Sequence, residues 1–121
     1  MAVSERLICA AQDLVDGGSG VRFEVCLYGR NEPAFAIRFA GKVRAYLNRC
    51  AHVPTELDWV EGQFFDGDRR WLICATHGAL YDPLDGHCVG GPCRGSGLRP
   101  LTVSEREGMV YLQEADAGHA R

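Results

Sequence analysis

Apolar and polar residues alternate along much of the first half of the chain. Every second side chain in residues 21–27 (VRFEVCL) is apolar, and residues 43–47 (VRAYL) repeat the pattern. Residues 35–40 form a further predicted strand between these two segments. A period of two places successive side chains on opposite faces of a sheet, whereas a helix has a period of 3.6. The pattern therefore predicts half-buried β-strands.

Glycine, proline, asparagine and aspartate mark the predicted connections. Residues 29–33 (GRNEP) and residues 41–42 (GK) predict turns. Residues 66–68 (DGD) separate residues 63–65 from residues 71–74, which predicts a hairpin. The chain reverses often, as expected for antiparallel sheets.

Two late strands are predicted at residues 97–103 and 109–112. Helix is expected only as single turns, near residues 11–14 and after Pro54. The predicted fold class is therefore all-β.

Composition and charge exclude several classes of protein. A chain of 121 residues is one domain by length, and its net charge of −3 has no basic stripe for nucleic acid. Its apolar runs are too short to span a membrane. Residues 1–13 lack the basic and long apolar regions of a signal peptide. We expect a soluble, cytoplasmic protein.

Two short segments each offer one thiol and one imidazole. Residues 50–52 are Cys-Ala-His, and residues 74–77 are Cys-Ala-Thr-His. Such side chains bind transition metals, and the two pairs together supply four donors to one centre. The candidate ligands are Cys50, His52, Cys74 and His77.

Two kinds of centre use two sulfur and two nitrogen donors. One is tetrahedral zinc, and the other is a 2Fe-2S cluster with two Cys on one iron and two His on the other. Zinc would need neither the Gly-Gly-Pro at residues 90–92 nor a tyrosine at position 81. These residues favour the cluster, and zinc stays open as the alternative.

The two segments, here called box 1 (residues 50–52) and box 2 (residues 74–82), resemble the cluster-binding boxes of Rieske iron–sulfur proteins. The Gly-Gly-Pro at residues 90–92 resembles the Pro loop of that family. The resemblance extends from about Leu7 to Leu112 and is strongest to the soluble ferredoxin-type members.

The resemblance implies a cofactor and an architecture. Cys50 and Cys74 would hold one iron of a Rieske-type 2Fe-2S cluster, and His52 and His77 the outer iron. The implied Rieske fold has a sandwich-like or barrel-like base of antiparallel sheets. A small cluster-binding subdomain is inserted at about residues 48–94, within one domain at 1–115 that is followed by a tail at 116–121.

Further residues are expected to surround the cluster. Pro54 and Gly78 would make tight turns, and Pro92 would help to cover a third side. The backbone N–H groups expected to point at cluster sulfurs are those of His52, Val53, Leu57, His77 and Ala79.

The surroundings of the boxes predict a low reduction potential. High-potential Rieske proteins join their boxes by a disulfide, whereas Thr55 and Thr76 lie at or near those positions here. Ala79 replaces their serine, but Tyr81 matches the tyrosine that can donate to a cysteine sulfur. Fewer donors to sulfur stabilise the reduced state less, so we predict a midpoint of about −150 mV.

The cysteines outside the boxes are expected to be thiols, because a cytosolic setting disfavours disulfides. A bridge between Cys88 and Cys93, which flank the Gly-Gly-Pro, is left open. The four residues concerned are Cys9, Cys26, Cys88 and Cys93.

The resemblance implies an electron-transfer protein rather than an enzyme. Single electrons would pass from a flavin-containing reductase to a terminal oxygenase or reductase, with no nucleic-acid or membrane partner. Two alternatives remain: the small subunit of a nitrite-reductase-type complex, and a structural zinc-binding or redox-sensing module. A complete oxygenase needs a further non-haem iron domain, for which no residues remain.

Overall fold

A computed structural model describes residues 5–27, 29–50, 55–58, 60–76, 78–92 and 95–113. These residues contain ten strands and one turn of 3-10 helix, so the all-β prediction is confirmed. None of their helical structure is long and apolar enough to cross a membrane. The strands are β1 (Glu5–Ala10), β2 (Val21–Leu27), β3 (Arg30–Phe39), β4 (Lys42–Leu47), β5 (Leu72–Ile73), β6 (Leu80–Tyr81), β7 (Cys88–Gly90), β8 (Pro100–Leu101), β9 (Val103–Arg106) and β10 (Met109–Gln113).

The largest sheet has the strand order β2-β3-β4-β8, with antiparallel neighbours. The predicted alternation in β2 is confirmed, because Val25 and Leu27 are buried whereas Arg22, Glu24 and Cys26 are exposed. Side chains from its inner face form one half of a sandwich core.

The predicted turn at residues 29–33 is wrong in its length, because β3 already begins at Arg30. Pro33 lies within the strand, opposite Glu24. Its carbonyl accepts a hydrogen bond from the N–H of Asn48 at 2.9 Å, just beyond the end of β4. The missing N–H of Pro33 would face the same side, where the ladder with β4 stops, so proline costs no ladder bond there.

A second sheet, ordered β1-β10-β9, completes the sandwich. Val110 and Leu112 of β10 are buried in clusters with Val25, Ala36 and other residues of the largest sheet. Strand β1 was not predicted. Its register with β10 shifts between Leu7 and Cys9, and this irregularity disrupts the alternation that would have marked a strand.

Two other predictions need correction. The predicted strand at residues 97–103 is divided, since β8 pairs with β4 whereas β9 pairs with β10. The chain changes sheets at Thr102, whose carbonyl accepts from the N–H of Gln113.

The 3-10 turn Ala11–Asp13 matches the expected helical turn. Pro54 lies outside the described residues, and residues 55–58 contain no helix because their backbone bonds to residues 48–50.

A small third sheet, β5-β6-β7, lies against the sandwich. The predicted hairpin is confirmed: the N–H of Asp66 donates to the carbonyl of Trp71 at 2.9 Å, and Phe65 bridges to Leu72. The ring of Phe64 stacks on that of Phe35 in β3, with centroids 4.0 Å apart. This contact fixes the hairpin, and with it the start of box 2, on the largest sheet.

Candidate metal centre

Each of the two candidate cysteine ligands lies shortly after the end of a strand. Cys50 lies three residues after β4, and Cys74 is the residue after β5. Only 2% of Cys50 and none of Cys74 is exposed, and neither is disulfide-bonded. They belong to one buried cluster with Leu57, Ala79 and Tyr81. The fold therefore brings one sulfur donor from each box into a shared, dry environment.

Box 1 is held at its described end by a backbone hydrogen bond. The N–H of Cys50 donates to the carbonyl of Thr55 at 2.7 Å, so a hydrogen bond joins the described residues on either side of positions 51–54. His52 and Val53 lie outside the described residues, so their predicted roles stay predictions.

Hydrogen bonds join the two ends of the segment from Cys74 to Ala79 in box 2. The N–H of Gly78 donates to the carbonyl of Cys74 at 2.8 Å, and the N–H of Cys74 donates to the carbonyl of Ala79 at 2.9 Å. Gly78 has a φ of +74°, a conformation that glycine adopts without strain. His77 lies outside the described residues.

Tyr81 connects the two boxes through a side chain. Its hydroxyl oxygen lies 3.3 Å from Sγ of Cys50, and both residues are buried. Tyr81 belongs to box 2, whereas Cys50 belongs to box 1. When Cys50 is a thiolate ligand, the hydroxyl is the donor, because a thiolate can only accept.

The Gly-Gly-Pro segment covers box 2 at very short range. A Cβ on Gly91 would lie 2.7 Å from the carbonyl oxygen of Gly78 and 3.0 Å from Cα of Ala79. Gly91 also has a φ of +82°. Only glycine satisfies both conditions, so this loop can lie directly on the backbone of box 2. The adjacent Pro92 is exposed.

One predicted N–H assignment is wrong. The N–H of Leu57 donates to Oδ1 of Asn48 at 2.8 Å, so it is not directed at a cluster sulfur. The side-chain amide of Asn48, which follows the end of β4, accepts this N–H instead, and no sequence pattern indicated that contact. Leu57 still faces the boxes, because its carbonyl accepts from the N–H of Ala75 at 3.0 Å.

The sequence analysis also missed two buried polar residues beside box 1. Asn48 is 1% exposed and Asp58 is 7% exposed, and Nδ2 of Asn48 donates to Oδ1 of Asp58 at 2.9 Å. The only available signal was an asparagine two residues before Cys50. Their pairing depends on the folded loop and has no local sequence pattern.

The expectation that Cys88 is a thiol is wrong, because Cys88 is disulfide-bonded. The prediction was based on the rarity of disulfides in the cytosol, and that argument does not tell which sulfur atoms are neighbours in the fold. Cys93 lies outside the described residues. Cys9 and Cys26 are free thiols, as expected, and burial raises the pKa of Cys9.

The described residues fit the two sulfur ligands of a centre with mixed ligands. Two buried cysteines belong to one core cluster, and a buried hydroxyl lies within hydrogen-bond distance of the sulfur of one of them. A thiolate in such a place needs a positive partner and hydrogen-bond donors. The histidines at positions 52 and 77 follow these cysteines within three residues.

Comparisons with known proteins agree with this geometry. The family model for the Rieske [2Fe-2S] domain matches residues 5–111. A search of the curated proteins finds no match.

Several solved structures share the fold. One is a chain from the complex of reduced oxygenase and oxidised ferredoxin in carbazole 1,9a-dioxygenase, with 22% identity, a TM-score of 0.70 and 97% coverage of both chains. The ferredoxin of carbazole 1,9a-dioxygenase from Nocardioides aromaticivorans IC177 has 18% identity and a TM-score of 0.68, covering 90% of this chain and 96% of that one. The quaternary ammonium Rieske monooxygenase CntA has 21% identity and a TM-score of 0.72, covering 97% of this chain and 33% of that one.

Proposed function

The chain belongs to the Rieske [2Fe-2S] domain family, and from this premise we propose that it is an electron carrier with a Rieske-type 2Fe-2S cluster. When bound, such a cluster accepts and releases one electron at a time at a potential set by its ligands and their hydrogen bonds. The carrier itself transforms no substrate, so it is an electron-transfer component rather than an enzyme.

The observation that carries the proposal is the pairing of the two boxes around buried sulfur. Cys50 and Cys74 belong to one core cluster and are not disulfide-bonded, and the hydroxyl of Tyr81 lies 3.3 Å from Sγ of Cys50. This donor set suits a thiolate-ligated centre whose charge changes by one unit, because a hydrogen bond to sulfur strengthens as the sulfur becomes more negative.

Each site residue has a proposed role. Cys50 and Cys74 would hold one iron of the cluster, and His52 and His77 would hold the other, outer iron. Gly78 and Ala79 form the turn of box 2, Val53 and Leu57 flank box 1, and Tyr81 donates to sulfur. Pro92 and its glycines cover the third side. We further propose a single domain at residues 1–115, with the cluster-binding subdomain at about 48–94 and a tail at 116–121.

The proposed partners are redox proteins. The solved structures with this fold include a ferredoxin in complex with an oxygenase in carbazole 1,9a-dioxygenase. By analogy, this chain receives electrons from a flavin reductase and delivers them to a terminal oxygenase or reductase, in the cytoplasm. The imidazole edge of His52 and His77 is the proposed exit for the electron.

The first test is the optical and low-temperature EPR spectrum of the purified protein, before and after dithionite. We expect a red-brown protein with stoichiometric iron and acid-labile sulfide, and a rhombic signal of low average g value after reduction. A colourless protein with stoichiometric zinc and no sulfide would overturn the proposal in favour of a zinc-binding module. Co-purification with a large reductase would instead indicate a nitrite-reductase-type subunit.

A further inference from the structure

A buried polar pair joins the strand that leads into box 1 to the loop that follows it. Asn48 lies directly after β4 and two residues before Cys50. Its Nδ2 donates to Oδ1 of Asp58 at 2.9 Å, and its Oδ1 accepts from the N–H of Leu57 at 2.8 Å. The other carboxylate oxygen of Asp58 accepts from the N–H of Gly62 at 3.0 Å. The pair thus closes the loop from position 48 to position 62.

These hydrogen bonds determine which side chain is possible at each position. Asn48 must both accept and donate, which an amide does and a carboxylate does not. Asp58 must accept on both oxygens, because the N–H of Gly62 and Nδ2 of Asn48 approach different oxygens. An amide at position 58 would satisfy one of these donors and turn its own N–H₂ toward the other.

The pair also connects box 1 to box 2. Leu57, held by Asn48, accepts the N–H of Ala75 on its carbonyl at 3.0 Å, and Ala75 follows Cys74. Within box 1, the N–H of Cys50 donates to the carbonyl of Thr55, three residues before Asp58. The segment 55–58 is therefore bonded to box 1 at Cys50 and to box 2 at Ala75.

Burial makes the pair costly unless it has a specific use. Asn48 is 1% exposed, and the fully buried carboxylate of Asp58 forms an ion pair with Nε of Arg22 at 3.6 Å. A buried charge is seldom the most stabilising choice, but a fully bonded one defines a single geometry. Cys50 and Cys74 are not disulfide-bonded, so their relative position depends on the fold around them.

We propose that Asn48 and Asp58 are positioning residues for the metal centre, a role that rests on the proposed function. Their hydrogen bonds set the placement of Cys50 relative to Cys74 and so retain the cluster. They act through Leu57 and the backbone of the two loops and do not touch the cluster themselves.

The test compares three variants of the full chain: Asn48→Asp, Asp58→Asn and the double variant Asn48→Asp/Asp58→Asn. The first places two carboxylates against each other, and the second leaves one donor without an acceptor. The double variant exchanges the two side chains. The carboxylate at position 48 then accepts from the N–H of Leu57 and from the side-chain amide at position 58. The oxygen of that amide accepts from the N–H of Gly62. The three hydrogen bonds of the pair and the net charge are then restored, whereas the ion pair of position 58 with Nε of Arg22 is lost.

The readouts are the rate of iron loss to a chelator, followed by visible circular dichroism, and the EPR line shape. Each single variant should lose iron about tenfold or more faster than wild type, as for other residues that orient metal ligands. The double variant should return to within about threefold of the wild-type rate. Tyr46→Phe, which removes a buried hydrogen bond from Tyr46 to the carbonyl of Pro83 at 2.8 Å, is the matched control and should keep the wild-type rate.

The role is overturned if the single variants lose iron at the wild-type rate, or only as fast as Tyr46→Phe at equal loss of thermal stability. If neither single variant folds, the double variant decides: iron loss near the wild-type rate supports the role, and rapid loss overturns it. The proposed function has a separate test, because it fails if wild-type protein itself contains no iron and sulfide.

Discussion

The hydroxyl oxygen of Tyr81 lies 3.3 Å from Sγ of Cys50, although the two residues are 31 positions apart in the sequence. Tyr81 ends β6, and Cys50 follows β4. Both are buried, so water does not compete for the contact. A residue of box 2 is therefore placed to stabilise negative charge on the sulfur of box 1, which we propose is a ligand of the cluster.

Removing that hydroxyl should lower the midpoint potential. The hydrogen bond from Tyr81 to sulfur is stronger when the cluster is reduced, so Tyr81→Phe destabilises the reduced state more than the oxidised state. Each 1 kcal/mol of this difference corresponds to about 40 mV for one electron. We expect a fall of a few tens of millivolts in an EPR-monitored titration. Tyr46→Phe is the control, since its hydroxyl bonds to the carbonyl of Pro83. Equal potentials for wild type and Tyr81→Phe would remove Tyr81 from the donors.

A new donor should act in the opposite direction. Ala79 is fully buried in the same core cluster as both cysteines, and a serine there adds one hydroxyl. We expect Ala79→Ser to raise the midpoint by a few tens of millivolts through a hydrogen bond to sulfur. Ala75→Ser is the control, because Ala75 is exposed. A lower or unchanged midpoint would mean that the hydroxyl faces away from the cluster.

The close approach at Gly91 should make this position intolerant of a side chain. Gly91→Ala would place Cβ 2.7 Å from the carbonyl oxygen of Gly78, at a φ of +82°. Gly95→Ala has a similar φ of +80° but nothing within 4 Å of the new Cβ, so it measures backbone strain alone. We expect about 1 kcal/mol of destabilisation for Gly95→Ala and clearly more for Gly91→Ala, by thermal unfolding. Equal losses would contradict the close packing of this loop on box 2.

Acid should weaken one ion pair of the sandwich. Both guanidinium NH groups of Arg38 bond to Glu105, at 3.1 and 2.8 Å. The hydrogen bond from Arg38 holds the pKa of Glu105 below its ordinary value of 4.5; burial opposes this and the charge of Arg38 adds to it. The stabilisation is thus complete above about pH 4.5 and is lost as the pH falls through the folded-state pKa.

The difference in Tm between wild type and Glu105→Gln should therefore shrink as the pH is lowered from about 7 to about 3. Glu61→Gln, at an exposed loop position, is the control for removing one negative charge. A difference that stays constant over this range would contradict the role assigned to the ion pair.

Replacement of an imidazole ligand should change the type of centre. In His77→Cys, a third thiolate makes the cluster more negative, so we expect the Rieske EPR signal to disappear and any remaining cluster to have a lower potential. His87→Cys is the control, because the exposed ring of His87 lies 2.6 Å from Asp85, outside both boxes. A Rieske signal that persists in His77→Cys would remove His77 from the ligands.

Local patterns predicted most of the fold. The alternation in β2 and the hairpin around residues 66–68 depend on neighbours in the sequence, and they were confirmed. Residues 43–47 also lie in a strand, but their alternation does not separate a buried face from an exposed one, because Tyr46 is buried together with Val43 and Leu47. Strand β1 was missed because its register shifts between Leu7 and Cys9. The turn predicted at residues 29–33 was too long because the prediction placed proline at the end of the turn. Pro33 fits within β3 because the pairing of β3 with β4 ends next to it, which the sequence does not show.

The sequence by itself determined the kinds of ligand, their spacing and the all-β architecture, because ligand chemistry and strand periodicity are local properties of the chain. Only the tertiary structure decided that Tyr81 reaches Cys50, that Asn48 pairs with Asp58, and that Gly91 lies on the backbone of box 2. These contacts join residues 10 or more positions apart, and they form only when the packing of both sheets and loops has fixed the distances between them.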